Sequence, residues 1–276
     1  MGNIVWIASF PKSGNTWMRL FIANYLANGE QPININTLHE KSLSEANSFH
    51  YLPFLSSGQS TMDLDTQELC RLRSRAHAQI AAEAHGTTFV KTHNFLGEYK
   101  GCPLHNNQVT SGTIYIVRNP LDIVVSMSNY FNYSIDDAID FMSDEMTGTP
   151  NEADNIPQII SSWSGHVNSW TQHAEESILV VRYEDMLANP LKAFRKVESF
   201  LKLKKDPRRL RKAIKFSSFE QTKAQEKKSG FTEKYENTEQ FFRKGQKNQW
   251  RDVLSTEQLE RITQNHAEMM KKYKYL

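Results

Sequence analysis

Residues 3–26 read NIVWIASFPKSGNTWMRLFIANYL and decide the fold. Ile4 to Phe10 is an apolar run rich in Ile, Val and aromatic residues that ends at a proline, which is typical of a buried strand. From Thr16 the apolar residues recur with a helical period until Asn28-Gly29 (Met18, Phe21, Ile22, Tyr25). The loop Pro11 to Thr16 carries a lysine, a glycine and two hydroxyls ahead of a helix N-terminus, which favours an anion. The pattern predicts a phosphate or sulfate cradle; an ordinary turn with a solvated lysine is the alternative.

Further strands alternate with amphipathic helices along the chain. Thr87 to Thr92, Thr113 to Val117 and Ser177 to Tyr183 are short β-branched runs, and Leu64 to His85 has helical spacing. This alternation predicts an α/β fold of three layers, with a central parallel sheet flanked by helices. No second domain boundary is visible, so we expect a single domain over residues 1–276.

Candidate site residues follow two of these strands. Lys91 and His93 are two apart at the end of a strand, where open α/β sheets place their ligands. Arg118 follows the next strand, and Asn119, Pro120 and Asp122 then provide the pattern of a helix N-terminus. A guanidinium at such a junction is either a structural cap or an anion clamp. The other eight histidines are expected to be surface or capping groups (His39, His50, His77, His85, His105, His166, His173, His266).

The second half of the chain adds helices and one segment of different composition. Pro157 is predicted to start a helix whose tryptophans, Trp163 and Trp170, belong to the core. Residues 221–240 are dominated by Lys, Glu, Gln, Thr and Asn, and we expect a mobile lid over residues 221–242. The lid leads into Phe242-Arg243-Lys244-Gly245, two cations and a glycine that lets backbone approach a ligand.

Composition excludes several classes of protein. The net charge of +2 argues against a general nucleic-acid-binding surface. Cys70 and Cys102 lack the spacing of a zinc site or a disulfide framework, and we expect no metal. No apolar run is long enough to span a bilayer and no signal peptide is visible, so a cytoplasmic location is expected.

Three separated motifs now point to a known family. PKSGNTW at 11–17, YIVRNPLDIVVS at 115–126 and FRKG at 242–245 resemble the 5′-phosphosulfate loop, the 3′-phosphate motif and the RKG segment of the cytosolic-type sulfotransferases. KTH at 91–93 and RYEDMLANP at 182–190 also look like family segments. The family uses 3′-phosphoadenosine 5′-phosphosulfate (PAPS) and has a fold related to P-loop kinases. The resemblance implies a PAPS-dependent enzyme without a metal, and we expect a bacterial member that acts on small molecules.

The resemblance also implies roles for individual residues. The 5′-phosphosulfate would be held by the first motif, which also approaches the adenine (Lys12, Ser13, Gly14, Asn15, Thr16, Trp17). The 3′-phosphate would be held by Arg118, Ser126, Arg243, Lys244 and Gly245, and the adenine would lie near Tyr183, Ser218 and Phe219. His93 matches the general base that takes the proton of the acceptor hydroxyl during in-line transfer. Lys12 would stabilise the leaving phosphate with assistance from Lys91.

The sequence departs from the family pattern at three places. Asn15 stands where relatives often have threonine, and Lys247-Asn248-Gln249-Trp250 lacks the usual glycine before the tryptophan. The dimer segment of many relatives is only partly matched, by Arg251, Ser255, Thr256 and Glu260, so a homodimer is left open.

Two other functions compete with transfer. A catalytically silent phosphonucleotide sensor is the alternative, although the presence of both Lys12 and His93 favours the enzyme. A small-molecule kinase is disfavoured because Lys12 precedes Gly14, whereas a P-loop places its lysine after the second glycine. The acceptor pocket is expected in residues 31–58, 129–154 and 221–240, whose aromatics suggest an apolar body around the hydroxyl (Phe49, Tyr51, Phe54, Tyr130, Phe131, Tyr133).

Overall fold

The first strand of the chain lies at the centre of the molecule's main sheet. A computed structural model describes residues 3–172, 176–235 and 238–276. Its elements follow in chain order: β1 (Ile4–Ser9), α1 (Asn15–Ala27), α2 (Leu38–Lys41), β2 (Leu43–Ser44), α3 (Thr66–Glu83), β3 (Thr88–Thr92), β4 (Glu98–Tyr99), β5 (Cys102–Pro103), β6 (Thr110–Val117), α4 (Pro120–Phe131), α5 (Ile135–Ser143), α6 (Trp163–Thr171), β7 (Ile178–Arg182), α7 (Tyr183–Ala188), α8 (Pro190–Phe200), α9 (Pro207–Phe216), α10 (Phe219–Ser229) and α11 (Thr256–Lys272). Short 3-10 helices lie at Ile35–Thr37, Ser48–His50, Leu52–Phe54, Thr61–Asp63 and Gln249–Asp252.

The sheet is parallel throughout its described strands. In that part of the chain its order is β2-β3-β1-β6-β7, with five strands, and β4 and β5 form a separate antiparallel pair. The register pairs Ala8 with Thr92 and Ser9 with Ile116, so the carboxyl ends of β1, β3 and β6 meet at one edge. The chain crosses from one side of β1 to the other between β3 and β6, which makes this edge a topological switch point.

Helices cover both faces of the sheet because alternate side chains of each strand point to opposite faces. Tyr115 and Val117 pack with α4, α5, α6 and α11 on one face. Ile114 and Ile116 pack with α1, α8 and α9 on the other. The predicted α/β fold of three layers around a parallel sheet is therefore confirmed.

Helix caps occur where the sequence provides them. Asn119 caps α4 and is followed by Pro120, and Asn189 caps α8 ahead of Pro190. Ser134 and Ser255 each form a capping box, at the starts of α5 and α11. One predicted start is wrong: α6 begins at Trp163 with Ser162 as its cap, and not at Pro157. The segment before it instead runs beside the residues that follow β3, where the backbone amide of Ile159 donates to Asn94 Oδ1.

The prediction for the histidines is also partly wrong. His77, His105, His166 and His266 are buried in the core, whereas His39 and His85 are exposed. Aromatic packing accounts for the burial of His105, since Trp6 and Trp170 both pack edge-on against its ring. His173 lies outside the described residues.

No helix within residues 3–172, 176–235 and 238–276 has the length and hydropathy needed to cross a membrane.

Candidate active site

The loop after β1 forms the floor of the candidate site. Lys12 and Gly14 have φ angles of 65° and 104°, so the loop curls back on itself before α1 begins at Asn15. A Cβ atom on Gly14 would lie 2.7 Å from Cδ2 of Tyr183, so only glycine fits between the loop and that ring. Ser13 Oγ is buried and has no hydrogen-bond partner among the described residues. A free buried hydroxyl beside a helix N-terminus fits an oxyanion ligand.

Two residues of the same motif have their side chains committed elsewhere. The side-chain amide of Asn15 donates to Ile7 O at 2.9 Å and to Ser9 Oγ at 3.2 Å, which ties the start of α1 to β1. The Trp17 ring packs edge-on against Tyr183 and Phe194, with centroid separations of 5.8 and 5.6 Å. Because α1 begins at Asn15, the backbone N–H groups of Asn15, Thr16 and Trp17 belong to its first turn and can be offered to a ligand.

The ammonium group of Lys12 lies between two aromatic rings. Its Nζ is 3.3 Å from the centroid of Tyr130 and 4.4 Å from that of Phe241. Burial lowers the pKa of Lys12 well below its usual value, and the positive charges of Arg118 and Lys91 lower it further. Burial and the neighbouring cations therefore disfavour the charged form of Lys12, and an anionic ligand beside it would stabilise that charge.

The ring of His93 has a defined orientation and protonation. Nδ1 lies 2.7 Å from the carbonyl oxygen of Ser9 and 3.4 Å from its hydroxyl. Because a carbonyl oxygen can only accept, Nδ1 donates the hydrogen bond and the lone pair of the neutral ring is on Nε2. Burial, with the nearby charge of Lys91, lowers the pKa of His93 well below its usual value. The imidazole is therefore neutral at pH 7 and able to accept a proton.

The backbone of His93 is held on both sides. Its amide donates to Gln158 Oε1 at 2.9 Å, and its carbonyl oxygen accepts from Nε2 of His166 at 3.1 Å. Nδ1 of His166 then accepts from the Tyr115 hydroxyl at 2.9 Å. A chain of three hydrogen-bonded groups thus joins β6 to the residue after β3.

Lys91 lies beside a buried ion pair. Arg19 of α1 is 1% exposed, and its two terminal nitrogens bond both carboxylate oxygens of Glu233 at 2.6 and 2.8 Å. The charge of Arg19, followed by that of Lys91, lowers the pKa of Glu233 to about 2 although burial opposes this. Glu233 belongs to the segment predicted as a lid, so the segment is tied to α1 next to Lys91.

Arg118, at the end of β6, connects the first loop to a second cationic group. Its Nη1 donates to the carbonyl oxygen of Lys12 at 2.7 Å, and its guanidinium stacks 4.4 Å above the Tyr183 ring. Its Nε is buried and has no hydrogen-bond partner in the part of the chain that the structure describes. Arg243 lies close enough for the charge of Arg118 to lower its pKa, in addition to the effect of burial. Two neighbouring guanidinium groups with an unused donor fit a phosphate.

The remaining predicted residues lie in α4, at the start of α10 and in residues 244–245. Gly245 has a φ of 61°, and a Cβ atom on it would lie 2.4 Å from Cδ2 of Phe219, so the glycine packs directly on that ring. The hydroxyl of Ser218 caps α10 by accepting from the amide of Gln221. Lys244 is exposed, and Ser126 is half-buried in α4. Among the contacts of the described residues, none distinguishes Ser126 or Lys244 as a phosphate ligand.

Several groups at the site give no signal in the sequence. Ser9, Gln158 and His166 hold His93 by hydrogen bonds. Arg19 and Glu233 tie the segment of residues 221–242, called the arm below, to α1. The polar positions at 158 and 233 lie in segments without periodicity, so no local pattern could identify them. Tyr51 is a correction: it is fully buried and donates to Glu45 O at 3.0 Å, so it cannot line an acceptor pocket.

Similarity to known proteins agrees with this geometry. A family model described as "Sulfotransferase domain" matches residues 3–274. The chain is 31% identical to Sulfotransferase 2A2 of Rattus norvegicus over 172 residues, which make up 57% of this chain and 55% of that protein. It is 26% identical to Sulfotransferase 1E1 of Bos taurus over 277 residues, covering 96% of this chain and 82% of that protein.

Solved structures resemble the chain over almost its whole length. A mouse sulfotransferase, SULT7A1, complexed with PAP has a TM-score of 0.64 at 18% identity, over 97% of this chain and 84% of that one. Retinol dehydratase in complex with androsterone and the inactive cofactor PAP has a TM-score of 0.68 at 17% identity, over 98% and 81%. At such low identities these likenesses show a shared fold.

Proposed function

Because the chain belongs to the sulfotransferase domain family, we propose that it transfers the sulfuryl group of PAPS to a hydroxyl of a small molecule. The observation that carries this proposal is the bond from Arg118 to the carbonyl oxygen of Lys12. It joins the anion-binding loop after β1 to the paired guanidinium groups of Arg118 and Arg243. One nucleotide with phosphate groups at both its 5′ and 3′ positions would engage the two sites together.

The donor groups fit such a nucleotide. Ser13 Oγ and Arg118 Nε are buried without partners among the described residues, and each could bond a phosphate oxygen. Gly14 and Gly245 both lack a Cβ where backbone passes close to a ring, beside Tyr183 and Phe219. Those two rings are the surfaces that an adenine would contact. PAPS would supply the sulfuryl group and a leaving adenosine 3′,5′-bisphosphate.

Individual residues of the chain have separate roles in the proposed transfer. Nε2 of His93 accepts the proton of the acceptor hydroxyl as its oxygen forms a bond to sulfur. The bond between sulfur and the bridging phosphate oxygen breaks in line with this attack, and the electron pair remains on the phosphate. Lys12 and the N–H groups of the first turn of α1 face this growing negative charge, with Lys91 adding positive charge nearby. The anion also raises the pKa of Lys12, which keeps the ammonium protonated.

The arm of residues 221–242 serves as the lid in this proposal. Residues 221–229 of the arm belong to α10, and Glu233 and Phe241 bring the arm against Arg19 and Lys12. Residues 236–237 of the arm lie outside the described residues. Closure of the arm would exclude water from the reacting sulfuryl group.

Aromatic rings beside Lys12 support an acceptor with an apolar body. Tyr130 lies 4.8 Å from Phe131 and 6.2 Å from Tyr235, and Phe131 lies 5.4 Å from Tyr133, as measured between ring centroids. Since Tyr130 also contacts Lys12, this group of rings borders the proposed transfer site. A phenol or another hydroxyl on an apolar framework suits such a wall.

The proposal is tested by ligand-dependent melting and by direct transfer. Adenosine 3′,5′-bisphosphate should raise the Tm of the protein in a concentration-dependent manner, whereas ATP should not. Sulfate labelled in PAPS should then appear in at least one member of a panel of phenols, alcohols and glycosides. An equal shift with ATP, or with ATP alone, would contradict the assignment of the nucleotide. Binding of the bisphosphate without transfer to any acceptor would instead indicate a sensor.

A further inference from the structure

A buried carboxylate in α10 holds the backbone that precedes the cationic segment Arg243 to Gly245. Glu226 is 8% exposed. One of its oxygens accepts from the amide of Phe241 at 2.7 Å, and the other accepts from the amide of Phe242 at 2.9 Å. Both oxygens are therefore occupied by consecutive backbone donors, and bonds of this charge-assisted kind are strong.

Two more contacts fix the same segment to the same helix. Nζ of Lys223 donates to the carbonyl oxygen of Arg243 at 3.2 Å, one turn before Glu226. Gly245 packs on the ring of Phe219 at the start of the helix. The side chains at 219, 223 and 226 recur at helical spacing, so one face of α10 holds backbone from Phe241 to Gly245 in a single line.

The carboxylate of Glu226 carries a negative charge at the edge of a site lined by basic residues. The basic residues of the site include Lys12, Arg118 and Arg243, and the negative charge of Glu226 partly opposes the lowering of the Lys12 pKa. Phe241, whose amide Glu226 binds, has its ring 4.4 Å from Lys12 Nζ. The Phe241 ring is also packed by Phe231 and Tyr130, at centroid separations of 4.9 and 5.6 Å, so its position beside Lys12 does not depend on Glu226 alone.

We propose that Glu226 is a positioning residue that sets selectivity for the 3′-phosphate, by fixing the backbone on which Arg243 and Gly245 are presented. The inference rests on the proposed function, because it assumes that these residues bind a 3′-phosphate. Glu226 does not touch the nucleotide in this view. Its loss should weaken the contacts to one phosphate group and leave those made by the loop after β1 largely intact.

The test compares two nucleotides that differ only in the 3′-phosphate. Binding of adenosine 3′,5′-bisphosphate and of adenosine 5′-monophosphate is measured by calorimetry for the full chain and for Glu226→Gln. The glutamine retains one acceptor oxygen but places an NH2 group opposite the second amide. We expect the affinity for the bisphosphate to fall about tenfold or more, and that for the monophosphate to fall by about twofold or less.

Glu220→Gln is the matched control, because it makes the same chemical change at an exposed position of the same helix. It should leave both affinities unchanged. An equal loss for the two nucleotides in Glu226→Gln would show a general structural role, and unchanged affinities would show none; either result overturns the proposal. Failure of the proposed function is recognised separately, since the unaltered protein would then bind the two nucleotides equally, and the inference would fall with it.

A second variant covers the case in which Glu226→Gln does not fold. Lys223→Met removes the bond to the carbonyl oxygen of Arg243 and a longer contact, of 5.7 Å, between the ammonium and the Phe219 ring; Lys223 is half-buried at the helix surface. We expect a smaller loss of about threefold to tenfold, again confined to the bisphosphate. If this variant binds both nucleotides as the unaltered protein does, α10 does not position the segment and the proposal is wrong.

Discussion

His93 is held by three hydrogen bonds, one to its ring and two to its backbone, before any substrate binds. Its Nδ1 donates to Ser9 O, and its backbone is bonded to Gln158 and His166. These bonds orient Nε2 and fix which nitrogen carries the proton, so no ring flip or tautomer exchange is needed before proton transfer. The sequence alone could indicate a histidine at the end of a strand, but it could not indicate the tautomer.

The role of His93 is tested by removing its ring. In His93→Ala we expect transfer from PAPS to fall by about 100-fold or more, because the proton of the acceptor has no base within reach. The increase in Tm caused by adenosine 3′,5′-bisphosphate should persist, since His93 does not bind that nucleotide in our proposal. His85→Ala, at an exposed position, serves as the control. Transfer at an undiminished rate would remove His93 from the role of base.

Gly245 provides a residue-scale prediction about the nucleotide site. In Gly245→Ala the added Cβ would lie 2.4 Å from Cδ2 of Phe219, so either the ring or the backbone must shift. We expect the affinity for adenosine 3′,5′-bisphosphate to fall about tenfold. Gly101→Ala is a matched control, because Gly101 also has a positive φ (79°) but has no atom within 4 Å of the position of a Cβ. Calorimetry on both variants separates the close contact from backbone strain, and equal affinities would contradict the prediction.

At the scale of elements, the arm is connected to α1 by a partly buried ion pair. Arg19 is almost fully buried, whereas the side chain of Glu233 is 24% exposed. Removing one partner leaves the other charge without compensation in a region of low dielectric. Additional bonds come from Tyr130, whose hydroxyl donates to Glu233 O and accepts from the amide of Tyr235. The arm therefore has specific attachments despite its polar composition.

The ion pair makes the mobility of the arm testable. Glu233→Gln should weaken the attachment by about 1–3 kcal/mol, because a buried guanidinium exchanges a charged partner for a neutral one. Trypsin should then cleave at Lys227, Lys228 or Lys234 faster than in the unaltered protein. Glu239→Gln, an exposed change in the same arm, should leave the cleavage rate as it is. Similar rates in all three proteins would argue that the pair does not hold the arm.

At the scale of the whole molecule, buried imidazoles make stability depend on pH. Burial is the main cause that lowers the pKa of His105 and His166 to about 3 and that of His266 to about 4, and the pKa of His93 is also low. In the unfolded chain each of these rings binds a proton near pH 6.5. The unfolded state therefore binds more protons than the folded state between about pH 4 and 6.5, and acid favours unfolding over that range.

We accordingly expect the free energy of unfolding to decrease as pH is lowered from about 7 to about 5, with each histidine adding up to about 1.4 kcal/mol per pH unit. Urea unfolding at several pH values measures this slope. The variant His105→Gln, which lacks one of the titrating rings, should show a shallower slope than the unaltered protein. An identical slope in the two proteins would mean that His105 does not titrate on unfolding.

Sequence reasoning could predict what depends on local pattern. The strand run at Ile4 to Phe10, the helix N-terminus at Asn119 and the spacing of the charged motifs were enough to predict the fold and the family. It missed features that depend on pairing across the chain, such as Arg19 with Glu233, which are separated by 214 positions. It also missed the burial of His105, because a histidine becomes a core residue only through neighbours such as Trp6 and Trp170.

The bond from Arg118 to the carbonyl oxygen of Lys12 has one more consequence. Because β1 and β6 are adjacent strands of a packed sheet, this bond holds the loop after β1 against the guanidinium of Arg118. The protein would then select ligands by the distance between their two anionic groups. An isomer such as adenosine 2′,5′-bisphosphate carries the same charge at a different separation, and such a site would reject it without any steric barrier.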